Sequence, residues 1–167
     1  MDATVIDRLV IRKASETDVP LLLCLIRELA DYEHLSHECV ATEESIKDIL
    51  FGNGINAEAL VAEYDGTPVG FALFFHNFST FLGKRGIYIE DIFVKPDFRR
   101  KGIGRALLTH IVRLAKERNC GRVEWCVLDW NEPAIKFYRG IGAKPLDEWT
   151  VFRLSGDALQ KFGGETL

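Results

Sequence analysis

The spacing of apolar residues changes period along the chain, and each change marks an element. Leu9-Val10-Ile11-Arg12 is a short strand run. From Pro20, the residues Leu22, Leu25, Ile26 and Leu29 recur at helical spacing behind a Thr17-Asp18 cap, predicting a helix that ends at Tyr32 and Glu33. A shorter helix follows the Thr42 cap through Ile46, Ile49 and Leu50 and stops at Gly52-Asn53-Gly54. Ala57 to Tyr64 and Val69 to Phe78 predict antiparallel strands joined at Asp65-Gly66, the strongest hairpin signal present. Ile87 to Val94 is apolar on both faces, as in a covered central strand, with Glu90 and Asp91 as exceptions that need a reason.

Helical spacing resumes at Ile103, Ala106, Leu107, Ile111, Leu114 and Ala115, and Asn119-Cys120-Gly121 closes that helix. Val123 to Leu128 predicts another strand. Asn131 caps a helix that carries Pro133 in its first turn, then Ile135, Phe137, Tyr138 and Ile141, with Gly142 as its stop. Trp149 to Leu154 predicts a last strand, followed by a short helix and a frayed tail. No repeat, low-complexity stretch or linker interrupts this α/β order. With 167 residues, 47% of them hydrophobic, one sizeable core is expected, hence a single domain over 1–167 with its core at about 8–155.

Composition narrows the function classes. No stretch approaches the ~20 apolar residues a membrane helix needs, and Met1-Asp2-Ala3-Thr4 lacks the order of a secretory signal, so a cytoplasmic protein without a membrane partner is expected. Cys24, Cys39, Cys120 and Cys126 form no Cys-x-x-Cys pair, and His34, His37, His76 and His110 form no ligand-like cluster, which argues against metal or redox chemistry. Nothing in the spacing of Cys126 and His110 favours a cysteine nucleophile. A net charge of -4 argues against a nucleic-acid partner and permits a cationic small molecule.

The most informative segment joins the central strand to the third long helix: Arg99, Arg100, Lys101, Gly102, Ile103, Gly104 and Arg105. Glycine admits a ligand close to backbone N–H groups, and a helix start presents unpaired donors and partial positive charge to phosphate oxygens. A nucleotide-triphosphatase loop is excluded because no Gly-Lys-Ser/Thr run occurs, and a dinucleotide fingerprint fails at Leu107. What remains, Arg99-x-x-Gly102-x-Gly104 after a strand, resembles the turn with which GNAT acetyltransferases cradle the pyrophosphate of acetyl-coenzyme A. The element order resembles the GNAT fold as well: α/β, one domain, a mixed central sheet of about six to seven strands flanked by helices.

The resemblance implies roles for particular residues. Backbone groups of Arg100 to Arg105 would clamp the pyrophosphate, and Ile92, Phe93 and Val94 would pair with the pantetheine arm. Asn131, Pro133 and Ala134 would touch the cofactor, and Tyr138 would protonate the departing thiolate. An alkylamine with a pKa of about 10.4 must lose a proton before it attacks, so a base is needed, and Glu90 in its apolar strand is the candidate, acting through water. Two plainer readings stay open: Glu90 as a structural ion pair or a solvent-facing bulge residue, and Tyr138 as a half-buried helix tyrosine.

Leu25 to Glu33, Tyr88 to Val94 and Trp130-Asn131-Glu132-Pro133 resemble more narrowly the spermidine/spermine and thialysine acetyltransferase branch. By that resemblance Tyr32, Glu33, Glu90 and Asp91 line an acidic groove for a cationic amine, beside Trp149, and the enzyme is a homodimer. Ser79 and Phe81 stand where polyamine acetylators of the branch carry an acidic residue and a tryptophan. The resemblance thus implies a diamine or polyamine, or a thialysine- or lysine-like amine, as acceptor, and that departure weighs against the long polyamine without ranking the rest. An acetyl-coenzyme A sensor or a protein acetyltransferase is the alternative that fold resemblance alone leaves open.

Overall fold

The computed structural model describes residues 7–54 and 57–164, so the N-terminal tetrapeptide and the expected frayed tail at 165–167 lie outside the described residues. The chain divides into two compact units, one ending at Cys126 and one beginning at Val127. The first contains β1 (Leu9–Lys13), α1 (Val19–Tyr32), α2 (Glu43–Phe51), β2 (Glu58–Tyr64), β3 (Thr67–Ser79), β4 (Lys84–Val94), α3 (Ile103–Glu117) and β5 (Val123–Trp125). The sheet order is β1-β2-β3-β4-β5, antiparallel throughout except for the parallel β4–β5 pair. Asp65 and Gly66 both take positive φ, 52° and 74°, as the expected two-residue hairpin turn requires.

Strand alternation divides the core between the two faces of this sheet. Ala59, Val61, Phe71 and Phe93 join Leu22, Leu25 and Leu29 of α1 and Ile46 and Leu50 of α2 in one apolar cluster. Leu60, Ala62 and Ala72, one residue out of phase, turn their buried side chains the other way. The stripe Ile103, Leu107 and Ile111 buries α3, which packs against β4 and β3. Thr42 caps α2 as expected, its hydroxyl accepting from Ser45 N–H at 3.2 Å.

One ion-pair network ties the start of α1 to the sheet. Arg12 donates from both terminal nitrogens to the Asp18 carboxylate, at 2.7 and 2.8 Å, and from Nε to Glu63 at 2.9 Å. Asp18 also accepts from the Ser15 amide at 2.7 Å and the Ser15 hydroxyl at 2.8 Å. The Arg12 guanidinium holds this buried carboxyl well below the usual range.

In the second unit α4 (Glu132–Gly140) and α5 (Gly156–Gly164) form as the periodicity predicts. The expected strand at Trp149 to Leu154 is absent, and Val123 to Leu128 is a strand only over Val123–Trp125. The sheet therefore has five strands among the described residues, below the expected six to seven, within the expected α/β class. Both shortfalls have one cause: alternating β-branched and aromatic residues become a strand only where a ladder partner is present.

Asp18→Ala is expected to cost about 2–4 kcal/mol, because it strands Arg12 and two Ser15 donors. Since the folded-state pKa of Asp18 lies below its unfolded value near ~3.9, its contribution is complete above that pH and fades as the solution is acidified further. Urea titrations from pH 7 to 2.5 should show the gap between wild type and variant narrowing only below about pH 4. A gap that stays constant to pH 2.5 would contradict the ionic origin.

Candidate active site

The site is built at the end of β4. Residues Leu73 and Phe74 of β3 face Asp91 and Ile89, so Glu90 is the extra residue of a β-bulge. On the other edge β5 pairs with Ile87, Tyr88 and Ile89 and no further. From Glu90 to Val94 that edge has no strand neighbour among the described residues, and an unpaired strand edge is the kind of backbone to which an extended ligand can add. On the paired edge, a Cβ at Gly70 of β3 would stand 2.5 Å from the Phe93 carbonyl oxygen, so the close approach of β3 to the end of β4 calls for glycine there.

The bulge sorts the two acids. Glu90 is exposed, whereas Asp91 is half-buried. Burial raises the Asp91 pKa to about 6, and the charges of Glu90 and Glu33 push in the same direction. Glu33, just past the end of α1, is itself pushed upward by burial. Of the four residues expected to line the acidic groove, Asp91 therefore lies within electrostatic reach of two others, Glu90 and Glu33. The fourth, Tyr32, faces the guanidinium of Arg99, whose carbon sits 4.1 Å from the ring centroid.

After β4 the chain makes a short helical turn at Pro96–Phe98 and then the basic turn. Arg100 and Gly102 take positive φ, 63° and 80°. For arginine this left-handed conformation costs about 1 kcal/mol, a strain of the kind concentrated at ligand sites. Gly102 caps α3 without a side chain, and no atom lies within 4 Å of where its Cβ would stand. Gly104 is nearly as open, its nearest atom being a Val94 methyl at 3.9 Å. A helix start with open glycines, followed by the exposed Arg105, fits a pyrophosphate by donor type and by charge. Arg100, Lys101 and Gly102 are exposed, while Ile103 is buried and anchors the first turn of α3.

The second unit holds the remaining expected residues. Asn131 caps α4, its side chain accepting from Ala134 N–H at 3.4 Å, and Pro133 occupies the first turn. Tyr138 is half-buried with its ring 5.4 Å from that of Phe137, and burial holds its phenol above the usual pKa, hence protonated. Trp149 is exposed.

Three features were not anticipated from sequence. Tyr88 donates its hydroxyl to Cys126 Sγ at 3.0 Å, with its own pKa raised by burial and by that bond. Alternation along β4 places Tyr88 and Glu90 two apart, but the Cys126 contact depends on how β5 pairs. Ser79 is buried, and its hydroxyl accepts from Leu82 N–H at 3.2 Å, so it closes a turn. The Arg99–Tyr32 stack joins residues 67 apart in sequence, for which no local pattern exists. Among the described residues no cluster of His, Cys, Asp and Glu could hold a metal ion, and no helix is long and apolar enough to cross a membrane.

Comparison with known proteins places this geometry. The sequence model of the GNAT acetyltransferase family matches residues 26–143. L-ornithine N5-acetyltransferase of Arabidopsis thaliana is 37% identical over 195 aligned positions, covering 90% of this chain and 86% of that protein. Thialysine N-epsilon-acetyltransferase of Bos taurus is 38% identical, covering 93% and 97%. Among solved structures, an integron cassette protein from the mobile metagenome of V. cholerae superposes with a TM-score of 0.80 at 26% identity, covering 95% of this chain and 99% of the other. With the family model spanning most of the chain and relatives at 37% and 38% identity over most of their length, the chain belongs to the GNAT family as an N-acetyltransferase.

Proposed function

We propose that the protein transfers the acetyl group of acetyl-coenzyme A directly to the primary amine of a small cationic acceptor, within a ternary complex. The observation that carries this reading is the half-buried Asp91 at the bulge, whose pKa is raised to about 6 by burial and by the charges of Glu90 and Glu33. An acidic groove attracts an alkylammonium, and a carboxyl that titrates near neutrality can take its proton. Acetyl-coenzyme A supplies the thioester carbonyl. Residues Arg100 to Arg105 hold its pyrophosphate, Ile92 to Val94 run beside its pantetheine arm, and Asn131, Pro133 and Ala134 contact it from α4.

In the reaction the ammonium gives a proton, through water, to the Glu90–Asp91 pair. The amine nitrogen bonds the carbonyl carbon, the carbon–sulfur bond breaks, the departing sulfur takes the Tyr138 proton, and the second proton that the nitrogen loses returns through water to the Tyr138 phenolate. The raised pKa of Tyr138 suits it to hold a proton until a thiolate needs one. Tyr32, Glu33 and Trp149 belong to acceptor binding. The names of the ornithine and thialysine relatives support an amino acid with a side-chain amine as acceptor, and a short diamine offers the same chemistry. Ser79 is engaged in its own turn, which adds no charge for the far end of a long polyamine.

Thiol release should be measured with spermidine, putrescine, thialysine, lysine, ornithine and a short peptide. Turnover is expected on the amino acids and putrescine, with Tyr138→Phe and Glu90→Gln each lowering kcat by about 10²-fold. Tight coenzyme A binding without turnover on any amine would instead support a sensor, and turnover on the peptide alone a protein acetyltransferase.

The Asp91 titration gives a second test. The rate at limiting amine should rise with pH through a midpoint near the Asp91 pKa of about 6, because the base must be ionised. NMR should place Asp91 at that midpoint and show it falling in Glu90→Gln and in Glu33→Gln. For stability the sign is opposite to that of Asp18. The folded pKa exceeds the unfolded one, so ionisation in the fold is a penalty that develops as pH rises from about 4 to 6. Asp91→Asn is therefore expected to be more stable at pH 7, by at most about 3 kcal/mol, while losing activity. An Asp91 midpoint below pH 4.5 would remove this role.

A homodimer belongs to the same reading. Phe78 and Phe81 at the β3–β4 turn are exposed, Phe81 to 97%, and two aromatic rings at one turn suit a subunit contact better than solvent. Light scattering is expected to give about twice the 18.9 kDa chain mass, and Phe81→Asp to shift it toward that mass. A strict monomer at high concentration would remove the dimer.

A further inference from the structure

The cations of the basic turn are not equivalent. Arg100 and Arg105 are exposed. Lys101 lies over Phe98 at 4.8 Å and over Tyr64 at 5.2 Å, against the end of β2. Arg99 is half-buried, and its Nε–H donates to the Val94 carbonyl at 2.9 Å. Its guanidinium carbon stands 4.1 Å from the Tyr32 ring centroid and 5.7 Å from that of Phe93. A planar guanidinium can donate in its plane while stacking on a ring, which an ammonium cannot do. The side chain is therefore committed to protein on two sides, at the point where β4 ends, α1 ends and the anion-binding turn begins.

Tyr32 is the last residue of α1, and Glu33 follows it. From this we infer that Arg99 is a positioning residue that couples the two substrate sites, holding Tyr32 over the end of β4 only when its own turn is in the conformation that binds the cofactor. The inference rests on the acetyl-transfer reading for what the two sites bind. Its physical content is reciprocal. Pyrophosphate bound to the strained Arg100–Gly102 backbone fixes the residue that carries the stack, the stack fixes Tyr32 and with it Glu33, and each ligand meets a site the other has already ordered. Arg99 then acts on acceptor affinity without touching the acceptor, and on the cofactor through backbone conformation, in contrast to the exposed Arg100.

Calorimetric titration of coenzyme A, in the absence and presence of saturating thialysine, measures the coupling in a pair that does not react. In the wild type coenzyme A is expected to bind about fivefold tighter with thialysine present, and thialysine about fivefold tighter with coenzyme A present. Arg99→Lys keeps the charge but loses the planar face and the Nε–H, and Tyr32→Leu removes the ring. Both should bind each ligand with a coupling factor near one, whereas Tyr32→Phe, which keeps the ring, should retain the wild-type factor. Thermal melts of every variant show whether it folds, and Arg99→Lys with Tyr32→Phe decide the matter if Tyr32→Leu does not. Retained coupling in Arg99→Lys, or lost coupling in Tyr32→Phe, would overturn the inference. So would a wild type that binds coenzyme A and acetylates thialysine but shows no coupling, and that result would leave the acetyl-transfer reading standing. A wild type that binds no coenzyme A would overturn both.

Discussion

Strand β4 is held on both edges for only part of its length, and most of the site follows from that. Up to Ile89 it has β3 on one side and β5 on the other; from Glu90 onward it keeps β3 alone. A strand that loses a neighbour must bend away or leave polar backbone for another partner to satisfy. The bulge at Glu90 sits at this transition and shifts the register by one residue. Asp91 thereby stays against the protein while Glu90 turns to solvent. Without the shift Glu90 would stand opposite Leu73 in place of Asp91.

The basic turn depends on the same strand end. Val94 accepts from Arg99, its methyl group lies closest to Gly104, and Lys95 N–H donates back to Val69 of β3 at 2.9 Å. The turn is thus anchored to backbone at its start and to the buried Ile103 at its finish, with the strained Arg100–Gly102 segment between two fixed points. Strain of this kind persists where the surroundings over-determine it, and here both ends of the turn are fixed.

Elements whose signals are local were legible in the sequence. The caps at Thr42 and Asn131, the Asp65-Gly66 hairpin and the stripe of α3 each depend on residues a few positions apart, and each formed as read. The strand expected at Trp149 to Leu154 depends on a ladder partner, and no pattern within the segment reports whether one exists. Of the site, the turn and the acidic positions could be read because their residue types are unusual where they stand. The ranking of Asp91 against Glu90 could not, since it follows from a bulge whose signature is a register shift against Phe74, sixteen residues away. The Arg99–Tyr32 contact was invisible for the same reason.

Crowding of carboxylates around the bulge resolves a conflict in the chemistry itself. The acceptor has to be recognised as a cation but must react as a neutral amine, so a site with full negative charge would bind the ammonium well and hold it in the unreactive form. A site without charge would release the proton readily but would not collect the substrate. Glu33, Glu90 and Asp91 stand between these limits. Burial, together with the charges of Glu90 and Glu33, raises the Asp91 pKa to about 6, so on the acetyl-transfer reading the group attracts a cation and still has proton-accepting capacity. Removing Glu90 or Glu33 takes away a charge that raises the Asp91 pKa and so lowers the proton affinity of Asp91. On that reading recognition and proton transfer converge on Asp91, because the charges that would collect the cation are the ones that raise its pKa.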